Sequence, residues 1–162
     1  MASRIPLVIV GGQIQQLQAG DTINVASAEW DNRVWTNGES SFSLVAGTPV
    51  YISGANTVKR AEANAASTAS VSGLLVDPSV SVGNTGNFAA GGIITCTTVQ
   101  WDAVVTGESG GLTPNSLYFL DPANPGKLTT TAPSTVGQLV TVVGRASSTV
   151  DMELVLAQPI QL

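Results

Sequence analysis

Short apolar runs recur along the whole chain, each bounded by glycine, proline, asparagine or aspartate. That punctuation predicts strands and turns. The pattern is sharpest from Gly110 to Thr131, GGLTPNSLYFLDPANPGKLTTT. Leu117-Tyr118-Phe119-Leu120 is too short for a helix and is bracketed by Pro114 and Pro122, and the threonine-rich run that follows favours a second strand. The expected unit is a hairpin with a long, stiff tip. A similar layout, LVAGTPVYISGANTVKRA, runs from Leu44 to Ala61. A shift of 68 residues sets Val50-Tyr51-Ile52-Ser53 beside Tyr118-Phe119-Leu120-Asp121 without a gap, and also pairs Leu44 with Leu112, Asn56 with Asn124 and Lys59 with Lys127. Val71-Ser72-Gly73-Leu74 then resembles Val142-Val143-Gly144-Arg145 after a small insertion. The sequence therefore predicts two related β modules, about 42–93 and 110–160, within a single β domain over 21–162. Convergence onto similar turns is the competing explanation.

The fold class expected is all-β, an antiparallel β-sandwich or barrel-like domain preceded by an extended N-terminal arm or strand over residues 1–20. Ile5 to Val10 is apolar on both faces apart from Pro6 and ends at Gly11-Gly12, after which glutamines alternate with Ile14 and Leu17. Two readings stay open: a strand buried on both faces, or an arm with a Gly-Gly hinge that is buried on meeting a neighbouring subunit. Thr22 to Val25, Val71 to Val76, Ser79 to Val82, Asn87 to Ala90, Ile93 to Val99, Leu139 to Val143 and Met152 to Leu156 read as further strands. The alanine-rich AEANAASTAS, residues 61–70, lacks an apolar stripe and reads as loop or extended chain. The apolar end of the chain, with Ile160 and Leu162, reads as an extended tail.

Length and charge narrow the function. At 162 residues the chain can bury a core without disulfides, and its single cysteine, Cys96, reads as a packed side chain. Charged residues make up 10%, against roughly 25% in an ordinary soluble domain, which points to contact with other protein. The net charge of −5 and the lack of any basic stripe argue against nucleic acid. No apolar run is long enough to cross a bilayer. Histidine is absent, which removes the commonest general base and metal ligand. The glycine-rich loop from Thr106 to Gly111 lacks the lysine and helix of a phosphate cradle, and the aspartates read as turn and capping groups. No catalytic, metal or cofactor site is expected. Trp30 and Trp35 flank Arg33 in a polar stretch; they read either as rings capping one end of a β-sandwich with Arg33 covering or pairing with them, or as a platform for a sugar or partner surface.

The opening RIPLVIVGGQIQQLQAGDTI, the module GTPVYI with downstream VSGLLV and VGNTG, and the run WDAVVTGESGGLTPNSLYFLDPANPGKLTTTAPSTVGQLVTVVGRA resemble virion proteins of tailed bacteriophages. Capsid decoration, or cement, proteins resemble the module, as do β modules of head and tail fibres. The resemblance implies no enzymatic activity and no cofactor. It implies a place on the outer capsid surface, the major capsid protein as partner, and a homo-oligomer: a trimer would suit a local threefold axis and a dimer a twofold. Ile5, Pro6, Leu7, Val8, Ile9, Val10, Ile160 and Leu162 are the expected capsid or subunit interface. The alternative is a fibre or baseplate component binding host glycan, for which Trp30, Trp35 and Trp101 are the aromatic candidates.

Overall fold

The computed structural model describes the backbone of Leu7–Val10, Gln13–Gln16 and Trp30, and the whole of residues 31–162. The expected strand over Thr22 to Val25 lies outside the described residues, as do Ile5 and Pro6. The architecture is all-β, with fifteen strands against two short helices among the described residues.

Strands β1 (Leu7–Val10) and β2 (Gln13–Gln16) form an antiparallel hairpin in which Val10 faces Gln13. Only Gly11 and Gly12 separate them, and Gly-Gly is among the dipeptides that favour a two-residue hairpin connection. The sequence reading of one apolar strand followed by a glycine hinge missed this return strand.

The first half of the domain comprises β3 (Trp30–Asn37), β4 (Leu44–Val45), β5 (Pro49–Gly54), β6 (Thr57–Arg60), α1 (Ala66–Ala69), β7 (Gly73–Leu75), β8 (Ser79–Val80) and β9 (Thr85–Thr95). The second comprises α2 (Thr98–Val104), β10 (Leu117–Leu120), β11 (Leu128–Thr129), β12 (Leu139–Val140), β13 (Val142–Ala146), β14 (Asp151–Leu154) and β15 (Ile160–Gln161). Nine strands join in the order β11-β10-β13-β14-β9-β3-β6-β5-β7, and β7 pairs again with β9. Pairing among β9, β3, β6, β5 and β7 thus returns on itself in a closed circuit. All pairings in this sheet are antiparallel except β3–β6, a departure from the wholly antiparallel expectation.

β9 connects the halves. Its first part lies between β3 and β7, with Phe88 opposite both Arg33 and Leu75, and its last residues, Ile93 to Thr95, pair with β14. The sequence reading broke this strand at Gly91-Gly92. Instead the strand runs on through a bulge: Trp30 faces Gly92 and Asn32 faces Ala89, so β9 holds an extra residue. Gly92 at φ 80° adopts the left-handed backbone such an irregularity uses, without a Cβ penalty.

The segment read as strand through Val99 turns helical at α2. Thr97 accepts a hydrogen bond from the Gln100 amide (3.2 Å), and the Gln100 side chain accepts one from the Thr97 amide (2.8 Å). This reciprocal cap satisfies amides that would otherwise be orphaned at the helix start. Trp101 is fully buried and its indole N–H donates to the Val150 carbonyl at 2.8 Å.

The alanine-rich stretch is the seam between the halves. Ala61, Ala63 and Ala69 are fully buried, and α1 is a single turn. The Ala61 carbonyl accepts from the Gly126 amide (2.8 Å) and the Ala63 carbonyl from the Leu139 amide (2.9 Å). The Thr141 hydroxyl donates to the Ala69 carbonyl at 3.1 Å. Small side chains let two backbones approach this closely. Around the seam, one core cluster mixes Leu74 and Ala89 with Leu112, Tyr118, Leu120, Val143 and Met152. A smaller cluster of Leu44, Val50, Val58, Leu75, Val80 and Phe88 belongs to the first half alone.

Hydrogen bonds repeat between the halves, with Gly47 and Thr48 matching Asn115 and Ser116 at the 68-residue shift and Leu75 matching Ala146 at a shift of 71, after the insertion. The Gly47 amide donates to the Leu75 carbonyl and the Asn115 amide to the Ala146 carbonyl, each at 2.8 Å. The return bonds, Leu75 to Thr48 and Ala146 to Ser116, match as well (3.1 and 3.0 Å). Gly47 and Asn115 both have positive φ, 81° and 67°. The hairpin tips differ: Tyr51 faces Lys59, but Phe119 faces Thr129, so the second hairpin pairs two residues further out and has the longer tip.

Candidate functional site

Four of the aspartates are held by hydrogen bonds from the fold, whereas Asp31 lies on β3 and pairs with Arg33 in solvent. Asp77 accepts from the Asn87 amide (2.9 Å) and side chain, and Asp102 accepts from the amides of Gly110 (3.0 Å) and Gly111 (2.8 Å), closing the glycine-rich loop. Asp121 takes hydrogen bonds from the Ala123 and Asn124 amides, the Asn124 side chain and, at 2.6 Å, the Thr106 hydroxyl. Burial pushes its carboxyl pKa up, but these donors outweigh it and hold the group below its ordinary value. Asp151 is likewise held low, by the hydroxyls of Thr95 and Ser148. Their oxygens are occupied by donors of the fold itself.

Tyr118 and Cys96 are internal. The Tyr118 hydroxyl donates to Glu108 at 2.6 Å and accepts from the Thr113 amide at 2.8 Å. Burial, and then the bond to Glu108, push its pKa up to about 12. Burial raises the Cys96 thiol to about 11, in keeping with a packed side chain. Among the described residues no cluster of three or more histidine, cysteine or carboxylate side chains is arranged to hold a metal ion.

Surfaces suited to contact are easier to find. Leu7 to Val10 form β1, which among the described residues pairs only with β2. At the other end of the chain, β15 pairs with β12, Val140 opposite Ile160, and Leu162 exchanges backbone hydrogen bonds with the loop at Gly137 and Gln138. The tail is therefore a strand held by backbone bonds on one side. Ile160 is 67% exposed, Leu162 43% and Val136, on the loop that Leu162 meets, 88%. No charged residue occurs from Leu154 to Leu162 or from Leu128 to Gly144.

The tryptophans separate. Trp30 joins the sheet through Gly92, and its ring lies outside the described residues. Trp35 is half-buried against Phe88, ring centroids 5.4 Å apart and tilted at 42°, so most of its worth is packing. Arg33 stacks on no ring among the described residues; it pairs with Asp31 at 2.8 Å in solvent, where such a pair adds little stability. Trp101 is buried in α2 and leaves the aromatic candidates. Sequence reasoning passed over Phe42. Its ring is 52% exposed and carries the Arg60 guanidinium 4.1 Å from its centroid, while Arg60 also bonds Glu39 at 3.2 Å. Only the proximity of residues far apart in sequence reveals that stack.

The buried Asn37 was also missed, because Asn37-Gly38 reads as a turn. Its side-chain amide donates to the carbonyls of Phe42 (3.0 Å) and Val80 (2.9 Å) and its oxygen accepts from the Glu39 amide (3.0 Å). It locks the end of β3 to the loop carrying Phe42. No family model matches this chain, and no curated protein matches it.

Proposed function

We propose that this chain is a non-enzymatic structural protein of a bacteriophage virion, decorating the capsid exterior and stabilising the shell by bridging capsid subunits. The observation that carries the reading is the β1–β2 hairpin. It has an apolar residue at every position of Leu7–Val10 and forms a sheet of its own. A lone two-stranded hairpin is marginal in water, so this element gains its stability on contact with another surface. The low charge of the chain, the uncharged C-terminal strand and the resemblance of its strand-and-turn runs to phage virion proteins agree with that role. A protein that binds the assembled lattice better than dissociated subunits shifts the equilibrium toward the intact shell. The chain's partners are then the major capsid protein and further copies of itself.

The fibre reading asks for an aromatic platform. With Trp101 buried and Trp35 packed on Phe88, that platform loses two of its three tryptophans, so decoration comes first. The test is the copy number of this chain in purified virions relative to the major capsid protein, by quantitative mass spectrometry. Comparable abundance is expected; a small fraction would overturn decoration in favour of a fibre or tail position. Deleting residues 2–12 should leave a β-rich protein that no longer binds shells.

A further inference from the structure

We propose that the β1–β2 hairpin of one copy of this chain docks by strand addition on the outer edge of β3 in a second copy. β3 pairs with β9 from Trp30 to Thr36 along one side, but on its other side only Thr36 and Asn37 meet β6. The Thr36 amide points to that second side, donating to the Asn56 carbonyl at 2.8 Å. Alternation places the amides of Asn32 and Val34 on the same edge, where they have no backbone partner among the described residues. Asp31, Asn32, Arg33 and Val34 are all exposed, Val34 to 59%.

An open edge of this kind is a template for another strand unless something covers it. Here the only charges on it, Asp31 and Arg33, neutralise each other. The hairpin is the complementary part. It carries no charged residue from Ile5 to Gly20, its strands are no longer than the open edge, and it needs a third strand to become stable. Docking would supply that strand through main-chain hydrogen bonds, leaving side chains to set register. Within one chain, the residues between the hairpin and β3 could span about 40 Å when extended, at roughly 3.3 Å per residue, so folding back is within reach. Yet in the single chain the hairpin forms a separate sheet and the β3 edge stays open among the described residues. The occupant is therefore a second copy. Such a contact is head-to-tail, repeating around a ring, unless two copies exchange hairpins reciprocally. The inference stands apart from any place in a virion.

The test uses the full chain. Sedimentation equilibrium should show a concentration-dependent oligomer that deletion of residues 2–16 abolishes. Val34→Pro removes an amide from the open edge and none from the β9 ladder; it should weaken association about tenfold or more, the scale of losing one or two backbone bonds. Location is read by mixing an Ile9→Cys or Gln15→Cys copy with an Asn32→Cys copy under mild oxidation, Cys96 being buried. A disulfide between copies is expected. A monomer at every concentration, or no disulfide between the mixed copies, would overturn the proposal. So would unchanged association in a Val34→Pro protein with wild-type melting; if that variant melts early, the mixing experiment decides.

Discussion

Gly73 stands directly opposite Val50 in the β5–β7 ladder, and a Cβ on it would lie 2.7 Å from the Ala89 carbonyl oxygen on the next strand. In the second half Gly144 stands opposite Tyr118, and its Cβ would lie 2.6 Å from the Glu153 carbonyl oxygen. The constraint is steric, because the obstructing atoms are backbone and cannot swing aside. Gly73→Ala and Gly144→Ala should each destabilise the protein by about 1–3 kcal/mol, the range for overpacking a closed interior. Urea midpoints measure this. An unchanged midpoint in either variant would show that the strands separate more easily than the geometry requires.

Asn37→Ala should cost about 2 kcal/mol or more, since it strips the buried Val80 carbonyl and the partly exposed Phe42 carbonyl of their donor and leaves the Glu39 amide without its acceptor. Asn37→Asp should be no better. Its size is right, but it sets a carboxylate against two carbonyl oxygens. Thermal melts of the two variants check the assignment: an aspartate variant as stable as wild type would contradict it.

The depressed pKa of Asp121 makes a signed prediction for acid. A carboxyl titrating below its ordinary 3.8 in the folded protein stabilises the fold fully above that value and loses the contribution as pH falls through the lower, folded-state value. Asp121→Asn should therefore be less stable than wild type at pH 7, and the gap should close below pH 3.8. A gap that persists unchanged into acid would trace the loss to shape and not to charge.

Cys96 should resist alkylation in the folded protein at pH 8, because it is 4% exposed and its thiol titrates near 11. Labelling should appear with unfolding, which makes the residue a reporter for the variants above. Rapid labelling without denaturant would mean that the core around Cys96 opens locally.

Several features were legible along the chain because they rest on local chemistry. The hairpin around Leu117–Leu120 and the packing of Cys96 follow from runs and turns that the eye can follow in order. The turn at Asp121 follows in the same way, because its side chain reaches the amides of Ala123 and Asn124, whereas Asp77 and Asp102 accept from residues eight to ten positions on. The α2 helix left a local sign as well, the Thr97-Thr98-Val99-Gln100 capping pattern, which was overlooked because the apolar residues before it continued a strand.

What the sequence determined by itself was the all-β class and the 68-residue echo between Val50 and Tyr118, since strand propensity and turn residues act over a few positions. Only the tertiary structure decided that β9 runs through Gly91-Gly92 to join both halves, that Ala61, Ala63 and Ala69 form the seam, that Trp101 is interior while Phe42 is not, and that one side of β3 is left open among the described residues. Each of those depends on which distant strand arrives alongside. Backbone hydrogen bonds and close packing settle that between residues far apart in the chain, where no local pattern records it.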